Sequence, residues 1–245
     1  MTEQISKATL DALRSLSTCA VANAIESFGA RLRNEGYTNS ALRCRFPKLP
    51  PMVGFAVTLR LHGSNPPMEG GAYVERTDWW ETLVLQPLPH VVIIQDADRR
   101  VGTAAFVGAT HAAILQALGC AGVVTNGAVR DLPEVERLGF PLFSGSVSVS
   151  HAYAHVAAIE EPVEIAGLRI CPGDLLHGDQ HGVVKIPPGI APDLVAIAAE
   201  LQAHERKVIE FCRSENFSRE ALREILRQPC EPQKQFVNGS ITQRL

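Results

Sequence analysis

The stretch Gly119-Cys-Ala-Gly-Val-Val-Thr-Asn-Gly-Ala-Val-Arg-Asp131 organises this chain. Small residues lead into it and Val123-Val124 forms a buried run. Asn126-Gly127 then has the composition of a tight turn, because both residues tolerate positive φ. The stretch ends on a cation beside an anion, Arg130-Asp131, and a helix signal follows at once in Leu132-Pro-Glu-Val-Glu-Arg-Leu-Gly139. A strand that runs straight into a helix delivers Arg130 and Asp131 to the mouth of an α/β layer, where open α/β folds bind their ligands. Asp131, with Glu134 three residues on and Pro133 in the first turn, also has the form of a capping box. A cap leaves one carboxylate oxygen over, and hard cations take oxygen ligands, so Asp131 is open to both roles.

Upstream, Val107-Gly-Ala-Thr-His111 opens a helix running to Leu118. The first N–H groups of a helix have no intrahelical acceptor, so Gly108, Ala109, Thr110 and His111 form a cradle for a carboxylate or phosphate. His90 to Gln95 is a fully buried strand by composition, and Asp96-Ala-Asp98 ends it as a turn or as a carboxylate pair for a metal. Val53 to Leu61 alternates as a strand. Further back, Ile5 to Leu16 has helical spacing, and Ser17-Thr18 caps a second helix, Cys19 to Phe28, closed by Gly29. Residues 30–51 are a connecting loop. Within Gly63 to Pro89, Asp78 is placed to cap a short helix carrying Trp79, Trp80 and Leu83, with core packing, a subunit contact or a substrate lid as roles for the tryptophans.

Downstream, residues 146–186 have the pattern of a small β-rich layer: Val147 to Val156, Val163 to Ile165, Leu168 to Cys171, Leu175-Leu176 and Val183 to Ile186. This layer carries His151, His155, His177 and His181. On one strand, positions 151 and 155 face the same way, which leaves a four-histidine metal site open beside structural hydrogen bonding and substrate contact. From Ala191 the chain is helical to about Cys212, with another helix from Ser218 to Leu226. The expected division is an α/β domain over 1–190 and a C-terminal helical arm over 191–245 that packs on a neighbouring subunit.

The 245 residues suffice for one large domain, or one domain plus an arm. A net charge of −3 offers no polyanion-binding surface, so no nucleic-acid partner is expected. The cysteines Cys19, Cys44, Cys120, Cys171, Cys212 and Cys230 are scattered without CxxC spacing. Free thiols in a reducing cytoplasm are the simpler expectation than a zinc ribbon or a disulfide framework. The start of the chain lacks a basic-then-apolar signal pattern and no apolar run is long enough to span a bilayer, so no membrane partner is expected.

Several stretches together resemble the RraA-like family: Leu16-Ser-Thr-Cys-Ala-Val-Ala-Asn-Ala-Ile25, Val53-Gly-Phe-Ala-Val-Thr58, the stretch Gly119 to Asp131, Pro172-Gly-Asp174, and Gly178-Asp-Gln-His-Gly-Val-Val-Lys-Ile-Pro187. That family includes the divalent-metal-dependent (class II) 4-hydroxy-4-methyl-2-oxoglutarate aldolases, which also decarboxylate oxaloacetate. The resemblance implies an α/β fold with a swivelling β/β/α core, and a homotrimer or homohexamer with active sites between subunits. It implies a lyase acting as aldolase or decarboxylase on a small 2-oxo acid through a pyruvate enolate. By the resemblance, Arg130 binds the 2-oxo acid and stabilises the enolate. Asp131 holds the metal, Mg2+ or Mn2+, and Gly108 to His111 bind the substrate carboxylate. No lysine lies near this stretch to form a Schiff base.

The chain departs from the family pattern at two places. Aldolases of the family carry an acidic residue just after the helix-opening glycine, where this chain has Ala109. Their usual aspartate before Gly127 is Asn126 here, so with Ala109 the metal site is expected to lose up to two nearby negative charges. Candidates to replace the acid are His111, as an acid or base near neutral pH, the histidines of the late layer, and Glu205 in the C-terminal helix. The alternative is a non-catalytic RraA-like binding or regulatory protein, since some relatives inhibit an RNA-degrading endonuclease. Retention of Arg130-Asp131 favours the enzyme. Methyl transfer to a quinone is discounted, because no glycine fingerprint after a strand would hold a methyl donor.

Overall fold

The structure is a computed structural model that describes residues 5–67, 79–85, 88–227, 234–237 and 240–243. In chain order the elements are α1 (Lys7–Arg14), α2 (Thr18–Ser27), β1 (Arg43–Cys44), β2 (Met52–His62), α3 (Trp80–Leu85), β3 (His90–Asp96), β4 (Ala105–Val107), α4 (Ala109–Ala117), β5 (Cys120–Val129), α5 (Leu132–Leu138) and β6 (Leu142–Val147). They continue with β7 (His155–Ile159), β8 (Val163–Ile165), β9 (Leu168–Ile170), β10 (Leu175–Asp179), β11 (Gly182–Ile186), α6 (Ala191–Cys212), α7 (Arg219–Arg227), β12 (Lys234–Val237) and β13 (Ser240–Gln243). Two compact units result, 34–186 and a second made from both chain ends, 1–33 with 187–245.

The unit 34–186 is built on a nine-stranded sheet in the order β1-β6-β5-β3-β2-β10-β11, with β4 on β5 and β7 on β2. Strands β2, β3, β5 and β6 run parallel. Alternate residues of these strands feed two apolar layers, as the two-residue strand period requires. Val57, Val92 and Val123 face one side, with Leu115 of α4, Val135 of α5 and Leu83 of α3. Ala56, Val91 and Val124 face the other, with Val163, Ile165, Leu168 and Ile170 of the β8–β9 hairpin. Helices therefore cover one face and a hairpin the other. The mixed α/β class expected from the sequence, with a C-terminal helix, is what forms.

Three local expectations change. Cys120 to Val129 is one continuous strand, with no turn at Asn126-Gly127. Its pairing with β6 is irregular between Thr125 and Ala128, so the Asn-Gly pair makes a bulge. The cause is distant: Asn126 Oδ1 accepts the Asp96 N–H at 2.7 Å, and its Nδ2 donates to the Asp96 carbonyl at 3.0 Å. Residues 148–154 are not strand, which breaks the expected run from Val147 to Val156. Finally, β7 and β10–β11 extend the main sheet on β2 instead of forming a separate layer. In the tryptophan region, Trp79 is buried in the helix-side core and Trp80 packs partly against it. Asp78, the expected cap, lies outside the described residues.

In the other unit, Ser6 and Ser17 cap α1 and α2 by accepting the N–H of Thr9 and Ala20, each at 3.1 Å. Leu10, Leu13, Val21, Ala24 and Ile25 are buried there, as are Ala191, Leu194, Ile197 and Ala198 of α6. Helix α7 buries no side chain. Among the described residues no helix is long and apolar enough to cross a membrane.

Candidate active site

Parallel pairing of β4 with β5 sets the ends of both strands side by side. The Arg130 N–H donates to the Val107 carbonyl at 3.0 Å, so the chain leaving β5 passes directly beside Gly108 and the start of α4. Asp131 follows in the left-handed region, at φ 55° and ψ 38°. A side-chain N-cap needs extended backbone, so this conformation takes the carboxylate off its own helix. Helix α5 indeed has no side-chain cap, and the capping-box expectation for Asp131 and Glu134 is corrected. The carboxylate turns instead to α4: Oδ2 accepts the Ala109 N–H at 3.1 Å and lies 3.6 Å from Arg130 Nε. A strained backbone that aims a carboxylate at another helix's N-terminus is the kind of local cost found at functional sites.

Gly108 makes this approach possible. A Cβ there would fall on Asp131 Oδ2 and come within 3.1 Å of Arg130 Cγ and 3.2 Å of its Nε. The expected cradle of Gly108 to His111 is thus partly filled from within, since Ala109 already donates to Asp131. Thr110 and His111 complete the first turn of α4, whose N-terminal end is the positive end of the helix dipole.

His111 is buried and its ring lies 4.9 Å from that of Phe106, tilted by 31°. Burial, and after it the Arg130 charge, push its imidazole down to about 4. The ring is neutral at pH 7, against the expectation of a group titrating near neutrality. Asn126 is spent on the Asp96 main chain, where a carboxylate could not replace it because the Asp96 carbonyl needs a donor. Its lost charge is therefore a feature of the β3–β5 junction, not of the carboxylate at Asp131.

The remaining candidates are dispersed. Asp96, raised by burial despite N–H bonds from Gly102 and Asp98, ties down the turn after β3. Asp98 accepts the N–H groups of Gly63 and Ser64, the Ser64 hydroxyl and His62 Nδ1. His177 is wholly buried in the sheet, in register with Val53 and Val184. His181 sits on Asp179 at the β10–β11 turn, while His151 and His155 donate from Nδ1 to the Ala152 and Tyr153 carbonyls. Among the described residues no three histidines, cysteines or acids are grouped to hold a metal, so the four-histidine site does not form. The expected strand carrying positions 151 and 155 is replaced by irregular chain over 148–154. Glu205 accepts from Asn23 at 3.3 Å within the helical unit. Sequence reading missed the His62–Asp98 pair, although His62 ends β2 and Asp98 follows its parallel neighbour β3.

A strand-end Arg-Asp pair beside a helix N-terminus, on a mixed sheet with helices on one face, places the protein in the mixed α/β class. The family model for RraA-like proteins, described as Aldolase/RraA, matches residues 18–185, and the chain belongs to this family. It is 34% identical over 118 residues to a Halalkalibacterium halodurans protein provisionally named 4-hydroxy-4-methyl-2-oxoglutarate aldolase, covering 48% of this chain and 56% of that one. It is 29% identical over 84 residues to the Thermus thermophilus 4-hydroxy-4-methyl-2-oxoglutarate aldolase, covering 34% of this chain and 51% of that one. The chain thus spans about half the length of these curated relatives. Among solved structures, an uncharacterized protein from Pseudomonas syringae pv. tomato superposes with a TM-score of 0.70 at 24% identity, over 91% of this chain and 96% of that one. Streptomyces coelicolor RraAS2, described as an unusual member of the RNase ES inhibitor RraA protein family, superposes at 0.64 and 24% identity, over 83% of this chain and 96% of that one. At these identities the structural likeness carries the fold.

Proposed function

We propose that this chain is a divalent-metal-dependent carbon–carbon lyase that acts on a small 2-oxo acid through a pyruvate enolate. The observation that carries this is the meeting of Arg130, Asp131 and the α4 N-terminus, made possible by Gly108. The aldolase names of the relatives support the same reading.

The donor set suits a hard cation of the magnesium or manganese kind. Such ions are held by one or two carboxylates and otherwise by water and substrate, and the Asp131 side chain is 42% exposed. Asp131 would hold the ion, which when bound supplies Lewis acidity toward the carboxylate and keto oxygens of the substrate. Arg130 offers a planar, permanently charged fork that binds the 2-oxo acid and stabilises the negative charge of the enolate. The stretch Gly108 to His111, at the positive end of α4, would receive the substrate carboxylate. Gly108 leaves room there for the Asp131 carboxylate, which the Ala109 N–H holds in place.

Ala109 and the low basicity of His111 bear on which bond is cleaved. Retro-aldol cleavage needs a base to take the hydroxyl proton of the substrate. Decarboxylation of oxaloacetate does not: carbon dioxide leaves, the electron pair remains as the enolate, and water supplies the proton that gives pyruvate. These residues support decarboxylation better than aldol cleavage. A homotrimer or homohexamer, with the helical arm of 191–245 on a neighbouring subunit, belongs to the same proposal. Ala109 also favours a second reading, a non-catalytic RraA-like binding protein that keeps the fold and the anion site.

The deciding experiment measures pyruvate release from oxaloacetate and from 4-hydroxy-4-methyl-2-oxoglutarate, with Mg2+ or Mn2+ and after chelation. Chelator-sensitive turnover of oxaloacetate, lost in Asp131→Ala, is expected. No turnover of either substrate with either metal refutes the lyase and leaves the binding protein.

A further inference from the structure

The strand β7, paired with β2 alone, carries an arrangement of imidazoles separate from the Arg130–Asp131 pair. His62, the last residue of β2, pairs directly with His155, the first of β7, across an antiparallel ladder. Directly opposed residues of such a ladder project from the same face, so the two rings are neighbours by construction. Their centroids lie 6.1 Å apart, with the planes inclined by 41°.

Each ring is also held in one tautomer. His62 Nδ1 lies 2.9 Å from Asp98 Oδ1, and His155 Nδ1 lies 2.8 Å from the Tyr153 carbonyl. Both partners only accept, so both Nδ1 atoms carry the proton and both Nε2 atoms present lone pairs. Among the described residues neither Nε2 has a hydrogen-bond partner. Asp98 is itself fixed by three further donors, the N–H groups of Gly63 and Ser64 and the Ser64 hydroxyl. Burial alone would raise its carboxyl, but the bonds from His62, Gly63 and Ser64 hold it below the ordinary value. A carboxylate or carbonyl behind Nδ1, with Nε2 left over, is how proteins orient histidines that ligate metals.

We propose that His62 and His155 form a two-histidine site for a borderline transition metal such as nickel, copper or zinc. Two imidazoles suit these ions and do not suit magnesium or calcium. The spacing agrees. A metal–nitrogen bond of about 2.0–2.1 Å plus the ring radius sets a ligating ring's centroid about 3.2 Å from the ion, so two rings on one ion stand at most about 6.4 Å apart. At 6.1 Å the pair is within that limit, and closing by about 1 Å would bring it to a tetrahedral angle. The His62 side chain is 42% exposed, which leaves a path for the ion and room for water to complete the shell. Bound metal would clip β7 to the end of β2, where two irregular segments, 63–67 and 148–154, adjoin the sheet.

The test is calorimetric titration of the untagged chain with Ni2+, in excess Mg2+ to fill the Asp131 region and with the thiols alkylated. One strong equivalent is expected. His155→Gln, which leaves the His62–Asp98 bond intact, should weaken it at least about tenfold, and so should His62→Gln. Asp98→Asn should weaken it by about 10- to 100-fold while keeping the stoichiometry, the effect of losing an outer partner of a metal-bound histidine. Asp131→Ala should leave it unchanged. Unaltered Ni2+ binding in His155→Gln, with a native circular dichroism spectrum, overturns the proposal, as does loss of binding in Asp131→Ala.

Discussion

Replacing Gly108 with alanine isolates what holds the Arg130–Asp131 pair against α4. Its backbone, at φ −130° and ψ −165°, is extended and open to any residue, so the substitution adds no backbone strain. The whole effect comes from one methyl group, which would fall on Asp131 Oδ2 and stand 3.1 and 3.2 Å from Arg130 Cγ and Nε. Asp131 must swing away and give up the Ala109 N–H that it accepts at 3.1 Å. A hydrogen bond to a charged group contributes about 1.5–3 kcal/mol. With the Asp131 side chain 42% exposed, water offsets part of this, and a loss of about tenfold in metal affinity follows from the lower end of that range. Turnover should fall further, by about 100-fold, because a displacement of about 1 Å in a positioning group costs that much in rate. The assay pairs Mn2+ titration with pyruvate release from oxaloacetate, and circular dichroism checks the fold. Mn2+ affinity and turnover both within about twofold of the parent would show that Asp131 does not act from its place beside the Ala109 N–H.

Three other perturbations test separate links. Arg130→Ala, which removes the oxyanion-stabilising group, and Asp131→Ala, which removes the carboxylate that would hold the metal, should each lower pyruvate release at least about 100-fold without unfolding, since the two side chains are 33% and 42% exposed; a lost circular dichroism spectrum would show them to be structural. Asn126→Asp removes the donor to the Asp96 carbonyl and should cost about 1–3 kcal/mol of stability in urea denaturation, with an unchanged midpoint refuting the bulge's dependence on that amide. His111→Phe should flatten the acid side of the stability curve. Above pH 6.5 the ring is neutral folded or unfolded; below it the unfolded chain takes the proton first, so stability is lost as pH falls from 6.5 to about 4, by about 3 kcal/mol in all. Asp96 acts in the opposite sense, its raised carboxyl adding stability at low pH that is lost as pH rises through its folded value, so the difference between parent and His111→Phe is the quantity to read.

Much of the site was legible because its signals are local. A buried β-branched run, a small residue opening a helix and a Ser three residues before an amide are patterns of adjacent residues. They located β5, the start of α4 and the cap at Ser17 to within a residue or two, while the cap at Ser6 was not foreseen. The Asn-Gly pair misled for the same reason. Its composition describes a turn, but its conformation is set by Asp96, thirty residues away in sequence and adjacent in the sheet. The grouping of α1 and α2 with α6 was likewise invisible, because burial of Val21 and Ala24 gives no direction in the sequence.

By itself the sequence determined that Arg130 and Asp131 stand at the end of a buried strand, that a helix opens at Gly108, and that no carboxylate occupies position 109. Chemistry that depends only on which groups are present follows from that much. Only the tertiary structure decided which way the Asp131 carboxylate points, that Ala109 N–H receives it, that His111 is buried into neutrality, and that His62 faces His155. Each of these rests on a contact between elements that the sheet brings together, and direction, desolvation and cross-strand proximity exist only once the sheet has formed.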